Sequence, residues 1–245
     1  MRRLLIRPGA IGDVIVSLPA LEFLKTDYTE VWVPSPLVPL IQFADKVMSI
    51  AASRIDVMAD GFAGRFQAFD EVVSWYGSNQ EALKEINPRC VFHPALPPKD
   101  WPLRATDFYA RQVGAAPGLI PKITVRHSPE RETVVIHPFS GSARKNWPIE
   151  SYLRVAERLL WPVEWAQDRF ESLLDLAEWM TGARLYIGND SGIAHLAAAV
   201  GVPAIAIFVS SDPKIWGPAK AAILQNPTVD EVVTAASEQL ACARR

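Results

Sequence analysis

Short runs rich in Val, Ile and Leu alternate with longer amphipathic stretches along the whole chain, which predicts an α/β protein built on parallel sheets covered by helices. The rhythm is played twice, with breaker clusters at 115–122 and 127–132 between the two passes, so two similar α/β halves are expected. With 245 residues, 49% hydrophobic and 21% charged, the chain has the composition of a folded globular protein and enough length for two cores.

In the first half the predicted strands fall near 3–7, 30–33, 46–50, 71–75 and 89–93, each a short β-branched or aliphatic run. A helix is predicted over 14–25, directly after the first strand, and helical stretches fill most of the later gaps. The second half repeats the plan with strands near 133–138, 163–166, 184–187, 204–209 and 222–224. Helices near 149–160, 170–181, 192–200 and 228–241 separate them, the first with Pro148 at its opening turn. Between the halves, the two breaker clusters suit an extended connection. The boundary is placed there, giving domains 1–117 and 118–245.

A formal net charge of −2, split evenly between the halves, offers no basic field for nucleic acid. Two cysteines, Cys90 and Cys242, make neither a metal quartet nor a disulfide framework, which points to a reduced, cytoplasmic protein. The basic start is interrupted by Arg7 and Asp13 and reads as a first strand rather than a signal peptide. The longest weakly polar run, 193–209, falls short of the ~18–20 residues of a membrane span and contains His195, Gly201 and Pro203.

In open α/β sheets ligands sit at the carboxyl ends of the strands, so the loops that follow strands carry the chemistry. Three stand out. The first is Arg7-Pro-Gly-Ala-Ile-Gly-Asp13, where Gly9 and Gly12 permit tight backbone and close approach of another molecule. Asp13 lies where the helix begins. It either caps that helix or projects a carboxylate into a cleft, ready to accept a proton. The loop is neither a G-x-G-x-x-G fingerprint nor a P-loop, which weakens dinucleotide, oxidoreductase and NTPase readings.

The second loop is His137-Pro-Phe-Ser-Gly-Ser-Ala-Arg-Lys-Asn-Trp-Pro148. Ser140, Gly141 and Ser142 offer hydroxyl and backbone donors, and Arg144 and Lys145 are placed to neutralise a departing diphosphate. The alternative is a solvated basic pair in a polar turn. In the third loop, Tyr186-Ile-Gly-Asn-Asp-Ser-Gly-Ile-Ala-His195, strand runs straight into helix, and the backbone N–H groups at Ser191 and Gly192 can hold phosphate. Asp190 would repel a phosphate at contact distance, so it is assigned to hydroxyls or to fixing the loop. His195, four residues after Ser191, shares its helix face and is either a contact or a satisfied half-buried histidine. Trp147 and Trp216 lie in the candidate ligand loops; packing is their first expected role, and stacking on a sugar or base the second.

These three loops, in this order and spacing, resemble the bacterial heptosyltransferases and their relatives, glycosyltransferase family 9. The resemblance rests on 7–21, 137–148 and 188–203, with Phe208-Val-Ser-Ser-Asp-Pro213 and Trp216-Gly-Pro218 similar to the segment that follows. It implies the GT-B arrangement: two Rossmann-like domains with parallel sheets facing across a cleft, the acceptor mainly in the first and the nucleotide sugar in the second.

The implied reaction moves a sugar, heptose or similar, with inversion and without a metal or other cofactor. The donor is a nucleotide diphosphate sugar, ADP-linked in the family, and the acceptor lipopolysaccharide or a related glycan. By position, the resemblance makes Asp13 the general base, Lys145 the contact to the diphosphate, Ser140 a hydroxyl near the phosphates, and Asp190, Ser191, Gly192 and His195 the donor loop. Glu164 approximates an acidic donor contact. A lipid-linked acceptor implies at most peripheral visits to the inner face of the membrane. The chain resembles a shortened member, with part of the missing length falling at 161–168. That motivates a second expectation, a catalytically reduced relative that binds a sugar nucleotide or glycan. Arg54, Arg65 and Arg104 are candidates for acidic groups of an acceptor, with an ordinary surface arginine the leading alternative for each.

Overall fold

The computed structural model describes residues 1–166 and 170–242; of the 161–168 segment, Gln167 and Asp168 lie outside the described residues. The chain divides into two compact units, Met1–Trp101 with Ala105–Leu119, and Pro102–Arg104 with Ile120–Arg245.

The first unit runs β1 (Arg2–Ile6), α1 (Ile11–Phe23), β2 (Tyr28–Val33), a 3-10 turn at Ser35–Leu40, β3 (Lys46–Ser49), α2 (Ile50–Ser53), α3 (Phe62–Gln67), β4 (Glu71–Ser74), α4 (Gln80–Ile86), β5 (Cys90–Phe92) and α5 (Ala105–Gln112). Its strands form one sheet in the order β3-β2-β1-β4-β5, every pair parallel. Leu4, Leu5 and Ile6 of β1 are all fully buried, as expected for a central parallel strand covered on both faces. The chain winds from β1 outward to β3 and then crosses to β4 on the other side. The gap beyond the carboxyl ends of β1 and β4 is therefore the point where the strand order reverses, and residues 7–10 leave the sheet there.

The second unit runs β6 (Val134–His137), a 3-10 turn at Ala143–Lys145, α6 (Ile149–Arg158), β7 (Val163–Trp165), α7 (Leu173–Met180), β8 (Leu185–Asn189), α8 (Gly192–Ala199), β9 (Ala204–Phe208), α9 (Pro213–Trp216), β10 (Ala222–Gln225) and α10 (Val229–Cys242). Its sheet, β10-β9-β8-β6-β7, is again wholly parallel. Alternate residues of three strands, Val134 and Ile136, Leu185 and Ile187, Ile205 and Ile207, share one face. They pack against Tyr152 and Val155 of α6 and Val232, Ala236 and Leu240 of α10. Here the order reverses between β6 and β8, whose ends pair His137 with Gly188. The second and third loops thus leave neighbouring strands at one edge.

The α/β reading and all ten predicted strands are present, with shifted ends. The first helix starts at Ile11 rather than 14, because Ala10 already has the extended backbone of a cap. β8 continues to Asn189, beyond the predicted 187, because it is paired on both sides to its last residues. α7 starts at Leu173 rather than 170, where the Ser172 hydroxyl accepts the Asp175 N–H. Residues 120–133 carry neither helix nor strand. Bonds that tie this stretch to the rest of the second unit include Ile123 N–H to Ala199 O, Ser128 N–H to Thr181 Oγ1 and Arg131 N–H to Gly182 O. Among the described residues no helix is long and apolar enough to cross a membrane.

Candidate functional site

In the first unit, the loop after β1 is built on Arg7. This side chain is fully buried and spends its guanidinium on the loop around it: Nε donates to Ser17 Oγ (2.9 Å), Nη1 to Pro8 O (2.7 Å), and Nη2 to Asp13 O (2.8 Å) and Tyr109 Oη (3.0 Å). Asp13 is not the helix cap. Ala10 holds that place, and Asp13 sits three residues on, where its Oδ2 accepts the Ala10 N–H at 2.9 Å. This is the carboxylate half of a capping box, so one oxygen serves the helix while the residue stays partly exposed. Gly12 is in the first turn beside it.

Gly9 has a φ of +122°, and a Cβ there would lie 3.0 Å from Asp13 Cβ and 3.1 Å from its Oδ2. Gly9→Ala is therefore expected to destabilise the protein by roughly 1–3 kcal/mol and to push the carboxylate off the Ala10 N–H. Urea unfolding and protection of the Ala10 amide against hydrogen exchange would measure both.

In the second unit Asn189, fully buried, joins the other two loops. Its Oδ1 accepts the Trp147 N–H (2.9 Å) and the Tyr152 hydroxyl (2.8 Å), and its Nδ2 donates to Pro138 O (2.6 Å). The loop after β6 is thereby pinned across the end of β8, and Lys145 is carried to Asp190. Lys145 Nζ lies 2.8 Å from Asp190 Oδ2, with 39% of the lysine side chain exposed against 5% of the aspartate. Ser211, just after β9, donates its hydroxyl to the same oxygen. A buried carboxylate thus holds one side of the ammonium and leaves its other donors facing outward.

Ser191 caps α8, accepting the Ala194 N–H at 3.3 Å, and Gly192 is the first helical residue. Close packing behind the loop requires Gly188, since a Cβ there would fall 2.3 Å from Tyr186 Oη. Burial raises the Tyr186 hydroxyl well above its ordinary value, so it stays neutral. His195 is buried one turn into α8, its N–H donating to Ser191 O at 3.3 Å.

The structure thus brings Lys145, Asp190, Ser191, Gly192 and His195 to one edge of the second sheet. Ser140 is in the same loop, but its hydroxyl is taken up locally, with Ser142 O at 2.9 Å and Asn146 Oδ1 at 2.7 Å. Arg144 is exposed. One expectation is corrected. Glu164 does not reach this edge: it lies in mid-strand, its carboxylate 3.4 Å from Arg131, which precedes β6 and so lies toward the opposite end of the sheet. Trp147 takes its first expected role: it is a core residue, edge-on to Tyr152 at 5.0 Å with its Nε1 on Pro227 O at 3.1 Å. Arg65 is drawn inward, donating to Ser53 O at 2.6 Å and lying over Trp32. Sequence reasoning missed Asn189 and Ser211 as site residues. Both follow a rule it had used, since Asn189 ends a strand and Ser211 lies in the loop after one at the ligand edge.

Residues 171–238 match the sequence profile described as glycosyltransferase family 9 (heptosyltransferase). Solved structures similar to the whole chain include the ADP-heptose lipopolysaccharide heptosyltransferase II of E. coli, 17% identical over 100% of both chains with a TM-score of 0.79. A family 9 glycosyltransferase from Veillonella parvula is 17% identical over 98% of this chain and 97% of its own, with a TM-score of 0.75. The chain is similar to a shortened member of glycosyltransferase family 9. The E. coli heptosyltransferase WaaC with ADP is also 17% identical, over 98% of this chain and 100% of its own, at a TM-score of 0.66. No curated protein sequence matches. The family 9 profile covers β8, α8 and β9, hence Asp190 to His195 and Ser211, while the Asp13 and Lys145 loops lie outside it.

Proposed function

We propose that this protein is a glycosyltransferase that moves a sugar, heptose or similar, from a nucleotide diphosphate donor, ADP-linked, to a lipopolysaccharide or related glycan acceptor. Inversion is the stereochemical course, because one base and one leaving-group stabiliser suffice for a direct displacement and no second carboxylate nucleophile is invoked. Asp13, with one oxygen on the helix backbone and one left over, takes the proton of the acceptor hydroxyl as that oxygen attacks the anomeric carbon. Lys145 neutralises the departing diphosphate together with the amides at the start of α8, a protein-borne charge in the place a metal takes elsewhere. The acceptor is a glycan on a lipid, reached by peripheral contact with the inner face of the membrane.

The observation that carries this reading is the Lys145–Asp190–Ser211 cluster beside the α8 N-terminus, an ammonium held from behind with donors facing outward. The relative solved with ADP and the one solved with ADP-2-deoxy-2-fluoro heptose support the donor class. A second reading, a reduced relative that binds the donor without turnover, is favoured by the Glu164–Arg131 pair, which removes one acidic donor contact.

Calorimetric titration with ADP, UDP, GDP, CMP and adenosine tests the site. Selective ADP binding is expected, weakened about 10–100-fold by Lys145→Ala, the loss of one or two charge-assisted hydrogen bonds. Adenosine binding should be unchanged. Equal weakening of ADP and adenosine would remove Lys145 from the diphosphate, and no binding of any nucleotide at millimolar concentration would sink the donor assignment.

A further inference from the structure

Arg7 is a charge buried in an unusual way. Its side chain is fully excluded from solvent, and its hydrogen bonds go to a serine hydroxyl, two backbone carbonyls and a phenol rather than to a carboxylate. A buried charge without a carboxylate bonded to it costs stability, and this one sits beneath the N-terminus of α1, whose macrodipole is also positive. Burial pushes the guanidinium below its ordinary value, against the opposing pull of Tyr109 and Asp13. A core built only for stability would use an apolar side chain here.

What the guanidinium does instead is fix one loop. Two of its hydrogen bonds end within 8–13, on Pro8 O and Asp13 O, a third on Ser17 one turn further along α1, and a fourth on Tyr109 of α5. The Tyr109 hydroxyl, held neutral by burial that pushes it up to about 12, donates in turn to Ala95 O at 2.8 Å, tying the segment after β5 to the same point. The guanidinium also lies 4.7 Å from the Tyr109 ring centre. Asp13 is therefore fixed twice, by its carboxylate on the Ala10 N–H and by its carbonyl on Arg7.

We propose that Arg7 is a positioning residue for transfer, holding the backbone of Asp13 from beneath so that the carboxylate stands ready in one orientation. The inference rests on the reading of Asp13 as the base. Arg7 touches no substrate, and it acts through the planar fork of its donors. A lysine would keep the charge and lose the fork.

The test follows ADP release from ADP-heptose with a heptose-free lipopolysaccharide core as acceptor, for the unsubstituted protein, Arg7→Lys, Asp13→Asn and the double variant. Arg7→Lys should lower kcat by about 10–100-fold, because small misplacement of a reacting group is costly, while KM for ADP-heptose and ADP affinity stay unchanged. On the Asp13→Asn background it should cost nothing more, since the group it positions is gone. Tyr109→Phe, which keeps the ring and removes the hydroxyl, should show the same pattern at smaller size and serves if Arg7→Lys does not fold. Losses that multiply in the double variant, or ADP affinity falling in step with kcat, would overturn the positioning role and leave a packing one. If Asp13→Asn keeps full turnover, or the unsubstituted protein releases no ADP, the base reading itself fails and this inference with it.

Discussion

Asp13→Asn is expected to lower kcat by about 10²–10⁴-fold, the range a positioned general base contributes, with donor affinity unchanged. The substitution is nearly isosteric, and the amide oxygen can still accept the Ala10 N–H that the carboxylate accepts at 2.9 Å. The first turn of α1 should therefore persist, and with it the Arg7 bond to the Asp13 carbonyl, which involves only backbone. What is lost is the capacity to take a proton. Stability and turnover thus separate: a purely structural Asp13 would show a lower unfolding midpoint with activity following in proportion. The base reading predicts loss of turnover at a nearly unchanged midpoint. Asp13→Ala, by contrast, also frees the Ala10 N–H and should cost about 0.5–2 kcal/mol of stability, so the pair of variants divides the two roles of one carboxylate.

The part of this site that could be read from the sequence is the part governed by local rules. Glycine spacing, a strand running directly into a helix, and adjacent cations marked all three loops. Strand periodicity likewise gave ten strands, each with ends moved by a residue or two; β8, for one, runs on to Asn189, which pairs with Ile207 of β9. What could not be read was set by contacts between distant residues. Arg7 reads as the polar end of a first strand, and only the closing of Tyr109, 102 residues later, makes it a buried keystone of the loop. Glu164 sits at a suitable distance in sequence but is claimed by Arg131 across two strands. Trp147, with packing and stacking both open to it in the sequence, is drawn into the core by Tyr152 and α10. In each case a local pattern offered two roles, and packing decided between them.

Asn189→Ala is expected to be the most destabilising single change at the second-unit edge, about 3–5 kcal/mol, since it strips partners from three buried groups at once. The Trp147 amide and the Tyr152 hydroxyl lose their acceptor, and Pro138 O loses its donor. None is easily rescued by water, because Trp147 and Tyr152 are buried in the cluster under α6 and α10. Burial raises the Tyr152 hydroxyl far above its ordinary value, so it cannot shed its proton to escape the need for an acceptor. Tyr152→Phe removes only one donor and leaves Asn189 Oδ1 its bond to Trp147, so about 0.5–1.5 kcal/mol is expected there. The two variants should also differ in binding. Asn189 is the clamp between the loop that carries Lys145 and the strand that leads into Asp190, so its loss should weaken ADP even where the protein stays folded. Tyr152→Phe should leave ADP affinity intact. Urea unfolding of both variants, followed by ADP titration at a temperature where each is folded, measures these effects. An Asn189→Ala protein within about 1 kcal/mol of the unsubstituted one, binding ADP as tightly, would show that the loop after β6 is held by its apolar contacts and not by this side chain.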